Sequence, residues 1–167
     1  TLIMVWFIQP YWQAAEIPLT WFGLLWAGLN LLVVVGASLA HHVDRLISFR
    51  YLFIGFALMP FVLYGLMSLG IIWLGLLVAP LFWVLRGVFQ PTLEDYLNRA
   101  VGSAERATIQ SIAKLAHRAL FAITSPFLGW VADVYTLETA FRVAGGIFGI
   151  LALIAVTLLV THLPKKT

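Results

Sequence analysis

The chain has 167 residues, 62% of them apolar and only 10% charged, where a soluble domain carries about a quarter charged residues. With a mean hydropathy of +1.00 it has too little polar sequence to cover a water-facing surface, so it reads as an integral membrane protein. Ten Lys/Arg against seven Asp/Glu leave a net charge of +3, with no basic patch interleaved with aromatics to suggest nucleic acid, and zero Cys excludes disulfides and thiolate metal sites.

Six apolar segments follow in order. The first covers residues 1–15, but its apolar run, residues 2–8, is too short to cross a hydrocarbon core, which takes about 20 residues. The expectation is that this first helix is truncated and that the chain is a piece of a longer one. The second segment covers residues 19–40, the third 50–67, the fourth 70–91, the fifth 108–132 and the sixth 139–163. Each of these is near the length of a spanning helix, and none shows the alternation of a β-barrel strand. Pro60, Pro80 and Pro126 fall inside them, as membrane helices tolerate where neighbours or water satisfy the freed carbonyls. The expected fold is all-α, a polytopic membrane protein of six transmembrane helices. Charged loops are expected at about 41–50 and 92–108.

Charge sets the orientation. Arg45 and Arg50 follow segment two, Arg99 and Arg106 follow segment four with Lys114 and Arg118 beyond, and Lys165 and Lys166 end the chain. The opposite connections hold Glu16, an uncharged turn near Ser68, and Asp133, Glu138 and a single Arg142. The Lys/Arg bias puts the first set, and with it the C-terminus, in the cytoplasm.

Helical spacing then sorts the faces. Gly23, Ala27 and Asn30 share one face of segment two, where small residues permit close helix contact and Asn30 must meet protein or water. Gly75, Ala79, Arg86 and Gln90 fall on one stripe of segment four. Lys114, Arg118, Ala122, Ser125, Gly129 and Asp133 form a stripe on segment five, with His117 and Thr124 beside it. Such a stripe suits a water-filled cavity or a helix interface. The alternative is that Lys114 and Arg118 belong to the membrane surface and only Ser125 is buried. Gly145 and Gly149 make a GxxxG packing signal on segment six.

Arg86 is the sharpest single feature, because an arginine at the bilayer centre costs at least about 2.5–3.5 kcal/mol. It either snorkels or pairs with Glu94 or Asp95, or it faces a cavity with a role in substrate binding or gating. His41 and His42 are adjacent and point about 100° apart on a helix, so they cannot ligate one metal from one face. No metal or cofactor site is expected. No nucleophile has a credible His and carboxylate beside it and no Gly-rich phosphate loop is present, so an enzyme is not expected.

Two stretches carry a resemblance. PTLEDYLNRAVGSAERATIQS at 91–111 and PFLGWVAD at 126–133 resemble the C-terminal half of a major facilitator superfamily permease. In that superfamily the cytoplasmic loop between spans ten and eleven often reads like LNR…RAT…S, and span eleven often ends in P-x-x-G-x-x-A-D. Ala40, Asp44 and Arg45, with a later Arg50, resemble a degenerate copy of its G-x-x-x-D-R-x-G-R signature; Ala40 replaces the first Gly, Ile47 the second and Ser48 the closing Arg. The resemblance implies that the chain forms spans seven to twelve, one lobe of a twelve-helix transporter whose N-terminal lobe is missing here. It implies a secondary active transporter working by alternating access on a small molecule, with drug or metabolite efflux among the options, with a coupling ion and the N-terminal lobe of the same polypeptide as partners, in a bacterial cytoplasmic membrane. Spans seven, eight, ten and eleven would line the cavity, which selects Gln9, Asn30, Arg86, Gln90, Arg118 and Ser125, with Tyr11, Trp12, Trp26 and Trp83 as an apolar wall. Asp44, Arg45, Glu94, Asp95, Arg99 and Arg106 would gate the cytoplasmic side.

Two other classes stay open. A six-helix sensor or scaffold would need a soluble signalling part, and a channel subunit would need repeated pore-lining charges or a re-entrant carbonyl loop.

Overall fold

Hydropathy and the absence of alternating segments dictate helices, and the computed structural model, which describes residues 2–102 and 105–162, is all-α. The Lys165–Lys166 tail lies outside the described residues. The helices are α1 (Leu2–Ala14), α2 (Phe22–Leu46), α3 (Phe49–Met67), α4 (Ile72–Ala100), α5 (Arg106–Val134) and α6 (Leu137–His162), with a short 3-10 turn at Leu19–Trp21. Four stretches are long and apolar enough to cross a membrane: Leu19–Leu46, Arg50–Met67, Ile72–Arg99 and Leu137–Thr161. α1, at 13 residues, is too short for that, and α5, at 29 residues, has the length but carries too many polar side chains.

The two charged loops expected from the sequence are mostly helix. α2 runs on through His41, His42, Asp44 and Arg45, and α4 runs on through Glu94, Asp95 and Arg99. Charge ends a membrane span but not a helix. The ion pair of Asp95 with Arg99 one turn later supports the extension of α4.

α1 ends with Glu16 in the left-handed region at φ 58°, and the Ile17 N–H donates to the Trp12 carbonyl at 3.0 Å to close the last turn. The buried side of α1, Ile3, Met4, Phe7, Ile8, Tyr11 and Trp12, follows helical spacing and enters the main core. The Tyr11 hydroxyl donates to the Ile72 carbonyl at 3.0 Å, tying the end of α1 to the start of α4. Gly75 lies directly under that ring, so a Cβ there would collide with Tyr11.

α2 packs chiefly on α4 and α3 on α6, while α5 leans on α6 and touches α4 only lightly. At the α2–α4 crossing Gly36 and Gly87 face each other. A Cβ on either would come within 3.0 Å of the other's Cα and would run into a backbone carbonyl, that of Val84 or of Val33. The GxxxG of α6 serves the α3–α6 contact: a Cβ on Gly149 would press to 2.9 Å from the Phe61 ring, and one on Gly145 would meet Tyr64 and Gly65. Tyr64 is fully buried and stacks on Phe148, with ring centroids 5.5 Å apart.

The outer surfaces divide by chemistry. α3 shows Leu58, Met59, Phe61 and Val62, and α6 shows Ile150, Leu153, Ile154 and Leu158. These faces hold no charge and suit lipid. The exposed surface of α5 has an apolar side of Ile112, Ile123, Phe127 and Trp130 and a polar side of Lys114, Arg118, Ala122 and Asp133.

Candidate functional site

Residues 86, 90 and 94 lie one turn apart along α4, on the side opposite the apolar row of Trp73, Leu77 and Leu81. Nearer the Ile72 end, the same polar side of α4 is covered by α1, because Tyr11 sits on Gly75 and Trp12 meets Trp26, which in turn meets Trp83. Toward the charged end the cover stops and an open groove of about 270 Å³ remains. Val33 and Ala37 of α2 line it with Arg86, Gly87, Gln90, Pro91 and Glu94 of α4. Gly87 of the glycine crossing lines the groove, where its bare backbone lies against that of α2.

Lys114 of α5 reaches Glu94 at 3.7 Å, which puts these two positions side by side on α5 and α4. From that pair, Gln90 lies one turn and Arg86 two turns toward the Ile72 end, and Arg118 lies one turn along α5 in the same direction. By this register Arg118 is level with Gln90, and Arg86 lies one turn, about 6 Å, further toward the Ile72 end. Arg86 is half-buried and Arg118 exposed. Among the described residues neither makes an ion pair or a side-chain hydrogen bond.

The pairing of Arg86 with Glu94 or Asp95 does not form. Glu94 is taken by Lys114 and Asp95 by Arg99. Gln9 is exposed on α1, on the outer side of the helix with Trp6 and Gln13. Asn30 is exposed and donates to the carbonyl of Trp26 in its own helix at 2.8 Å. Its companions Gly23 and Ala27 are exposed too, so the small-residue face of α2 has no helix against it among the described residues. Ser125 is half-buried on the polar side of α5. Tyr11, Trp12 and Trp83, suggested as a cavity wall, are core residues with 6%, 3% and 2% exposure, and Trp26 is half-buried between Trp12 and Trp83.

At the charged end Arg99 pairs with Asp95 and lies 3.8 Å from Asp44, linking α4 to α2. The Arg106 guanidinium donates to the Asn98 carbonyl at 2.8 Å, and Gln110 donates to the Asn98 side chain at 2.9 Å, which ties α5 to α4 across the connection. Arg45 is exposed and outside this network. All these contacts lie within the chain. With Arg99 mostly exposed, each pair is worth at most about 1 kcal/mol.

His117 sits at the edge of a second, apolar pocket of about 110 Å³ between α1, α5 and α6, lined by Ile3, Phe121, Leu128 and Phe148. The sequence reading missed the Gly36–Gly87 crossing. Neither stands four residues from another glycine of its helix, and the available signal was their similar depth, about 21 Å from Phe22 and about 22 Å from Ile72.

No family model, curated protein or solved structure matches this chain.

Proposed function

We propose that this chain is one lobe, the C-terminal six helices, of a twelve-helix secondary active transporter that moves a small molecule by alternating access. The observation that carries the reading is the split surface. α3 and α6 turn apolar faces outward, while α2 and α4 border a groove lined by Arg86, Gln90 and Glu94, with Arg86 inside the fourth span and Lys114 of α5 reaching Glu94 at the charged end. Ionisable groups inside a membrane layer are costly and mark substrate or ion paths by default. Two lobes closing over such a face give the central site of a transporter built from parallel halves. The resemblance of residues 91–111 and 126–133 to the major facilitator superfamily adds support, and it assigns the groove side to the interface with the N-terminal lobe.

In this reading the membrane is a bacterial cytoplasmic membrane and the Arg45, Arg99 and Arg106 end, with the C-terminus, is cytoplasmic. Single cysteines at Glu16 and Glu138 should then react with an impermeant thiol reagent from outside, and one at Arg50 only from inside. A cysteine at Ser125 in the full-length protein should react from either side, since each access state opens the same site to one side. Reaction of Ser125→Cys from neither side in membrane vesicles would favour a scaffold without transport. Labelling of Glu16→Cys and Glu138→Cys only from inside would reverse the orientation and remove the superfamily assignment with it.

A further inference from the structure

Among the described residues the charges along the groove do not balance. Glu94 is matched by Lys114 at 3.7 Å, while Arg86 and Arg118 have no carboxylate within ion-pair distance among the described residues. Asp133 cannot serve Arg118, being about 22 Å along α5. Asp44, Asp95 and Arg99 are occupied with one another at the charged end. Arg86 therefore lines, without an ion pair, a groove with room for a small molecule, and Arg118, outside that lining, stands one turn beyond Lys114 on the neighbouring helix. The rest of the groove is suited to a planar or apolar body: Val33, Ala37, Gly87 and Pro91 offer carbon surface, and the Gln90 amide can donate or accept.

We infer that the groove binds a small organic anion, a carboxylate, sulfonate or phosphate ester on an apolar body, with Arg86 and Arg118 as its charge partners. The inference rests on the transport reading and narrows its substrate class. Guanidinium is weakly hydrated for a cation and presents paired donors that match the two oxygens of such a group. Placed inside the span without a carboxylate partner among the described residues, it gains most from an anion that arrives with an apolar body to fill the groove. A cationic substrate would meet the same two charges as repulsion, because Glu94 is already neutralised by Lys114.

The test uses the full-length protein carrying Gln90→Cys in phosphatidylcholine nanodiscs, with the rate of maleimide modification as readout. The probes are 1-naphthalenesulfonate and the 1-naphthylmethylammonium ion, which share an aromatic body and differ in charge. The sulfonate should slow modification and the ammonium should not. Arg86→Gln or Arg118→Gln should weaken protection about tenfold each, the loss of one charge-assisted contact, and Arg86→Lys should recover part of it. Equal protection by both probes, or protection untouched by either glutamine variant, would overturn the anion site while leaving an aqueous groove and the transport reading in place. Protection that appears without probe when phosphatidylglycerol is added, and that blocks any effect of the sulfonate, would assign the two arginines to a lipid headgroup and overturn the small-molecule site. A cysteine at 90 that never reacts would sink the groove as an aqueous site, and both readings together.

Discussion

Gly87→Leu should leave little folded protein. The Cβ alone would meet the Val33 carbonyl, and the Ala37 nitrogen and Gly36 Cα at 3.0 Å. These atoms are main chain of a helix packed along its length, so no rotamer change relieves the clash. Relief requires α2 and α4 to part, and with them the Trp26–Trp83 contact, whose ring centroids are 5.9 Å apart. Overpacking costs about 1–3 kcal/mol where side chains can give, and a backbone-on-backbone site belongs at or above the top of that range. Gly36→Leu should behave alike, because the approach is reciprocal. Gly146→Leu is the matched control: nothing lies within 4 Å of its added Cβ, and the change should stay within about 0.5 kcal/mol. Thermal unfolding in detergent, followed by tryptophan fluorescence, separates the three. Equal midpoints for Gly87→Leu and Gly146→Leu would mean that the α2–α4 crossing is not as close as described.

The second large effect contrasts two positions at one depth. Val134 and Leu137 flank a short turn, so α5 and α6 start from the same level. Ala122 is about 18 Å from that level on α5, and Ile150 about 20 Å on α6. Both are exposed, Ile150 by 62%. Ile150 lies among Leu153, Ile154 and Leu158 on a face with no charge, whereas Ala122 lies one turn from Arg118. Ile150→Arg should therefore cost at least about 2.5–3.5 kcal/mol, the penalty for arginine at the bilayer centre, and should sharply lower the amount of inserted, folded chain. Ala122→Arg should insert and fold nearly as the parent does. Membrane-fraction yield and detergent stability measure both. If the two arginines are tolerated alike, the division of the surface into lipid and water faces is wrong.

Much of the helical layout was legible in the sequence because lipid enforces it. The spans at 50–67 and 139–163 lie within a few residues of α3 and α6, since a run of apolar residues at membrane length has few other solutions. Gly145 and Gly149 were legible as packing residues because the four-residue spacing puts both on one face. Three features were not. Hydropathy marks where a span leaves lipid, so it could not show α2 and α4 continuing past it to Leu46 and Ala100. Glycine spacing within one helix could not reveal a contact made by one glycine from each of two helices. The partner of Arg86 could not be chosen by nearness in sequence, because Lys114, from the next helix, takes Glu94. Gly23, Ala27 and Asn30 were legible as a shared face, but what covers that face depends on chain packing and not on spacing.

The account turns on whether the polar side of this lobe holds water at membrane depth while α3 and α6 hold lipid. These 167 residues hold no cysteine, so a single nitroxide label in this lobe stands alone once any cysteine elsewhere in the polypeptide is replaced. Labels at Gln90 and Ala122, and at Ile150 and Leu58, in the full-length protein in bilayers would be compared for collision with a water-soluble nickel chelate and with membrane-dissolved oxygen. The account predicts that nickel dominates at Gln90 and Ala122 and that oxygen dominates at Ile150 and Leu58. Oxygen dominating at all four positions would contradict it.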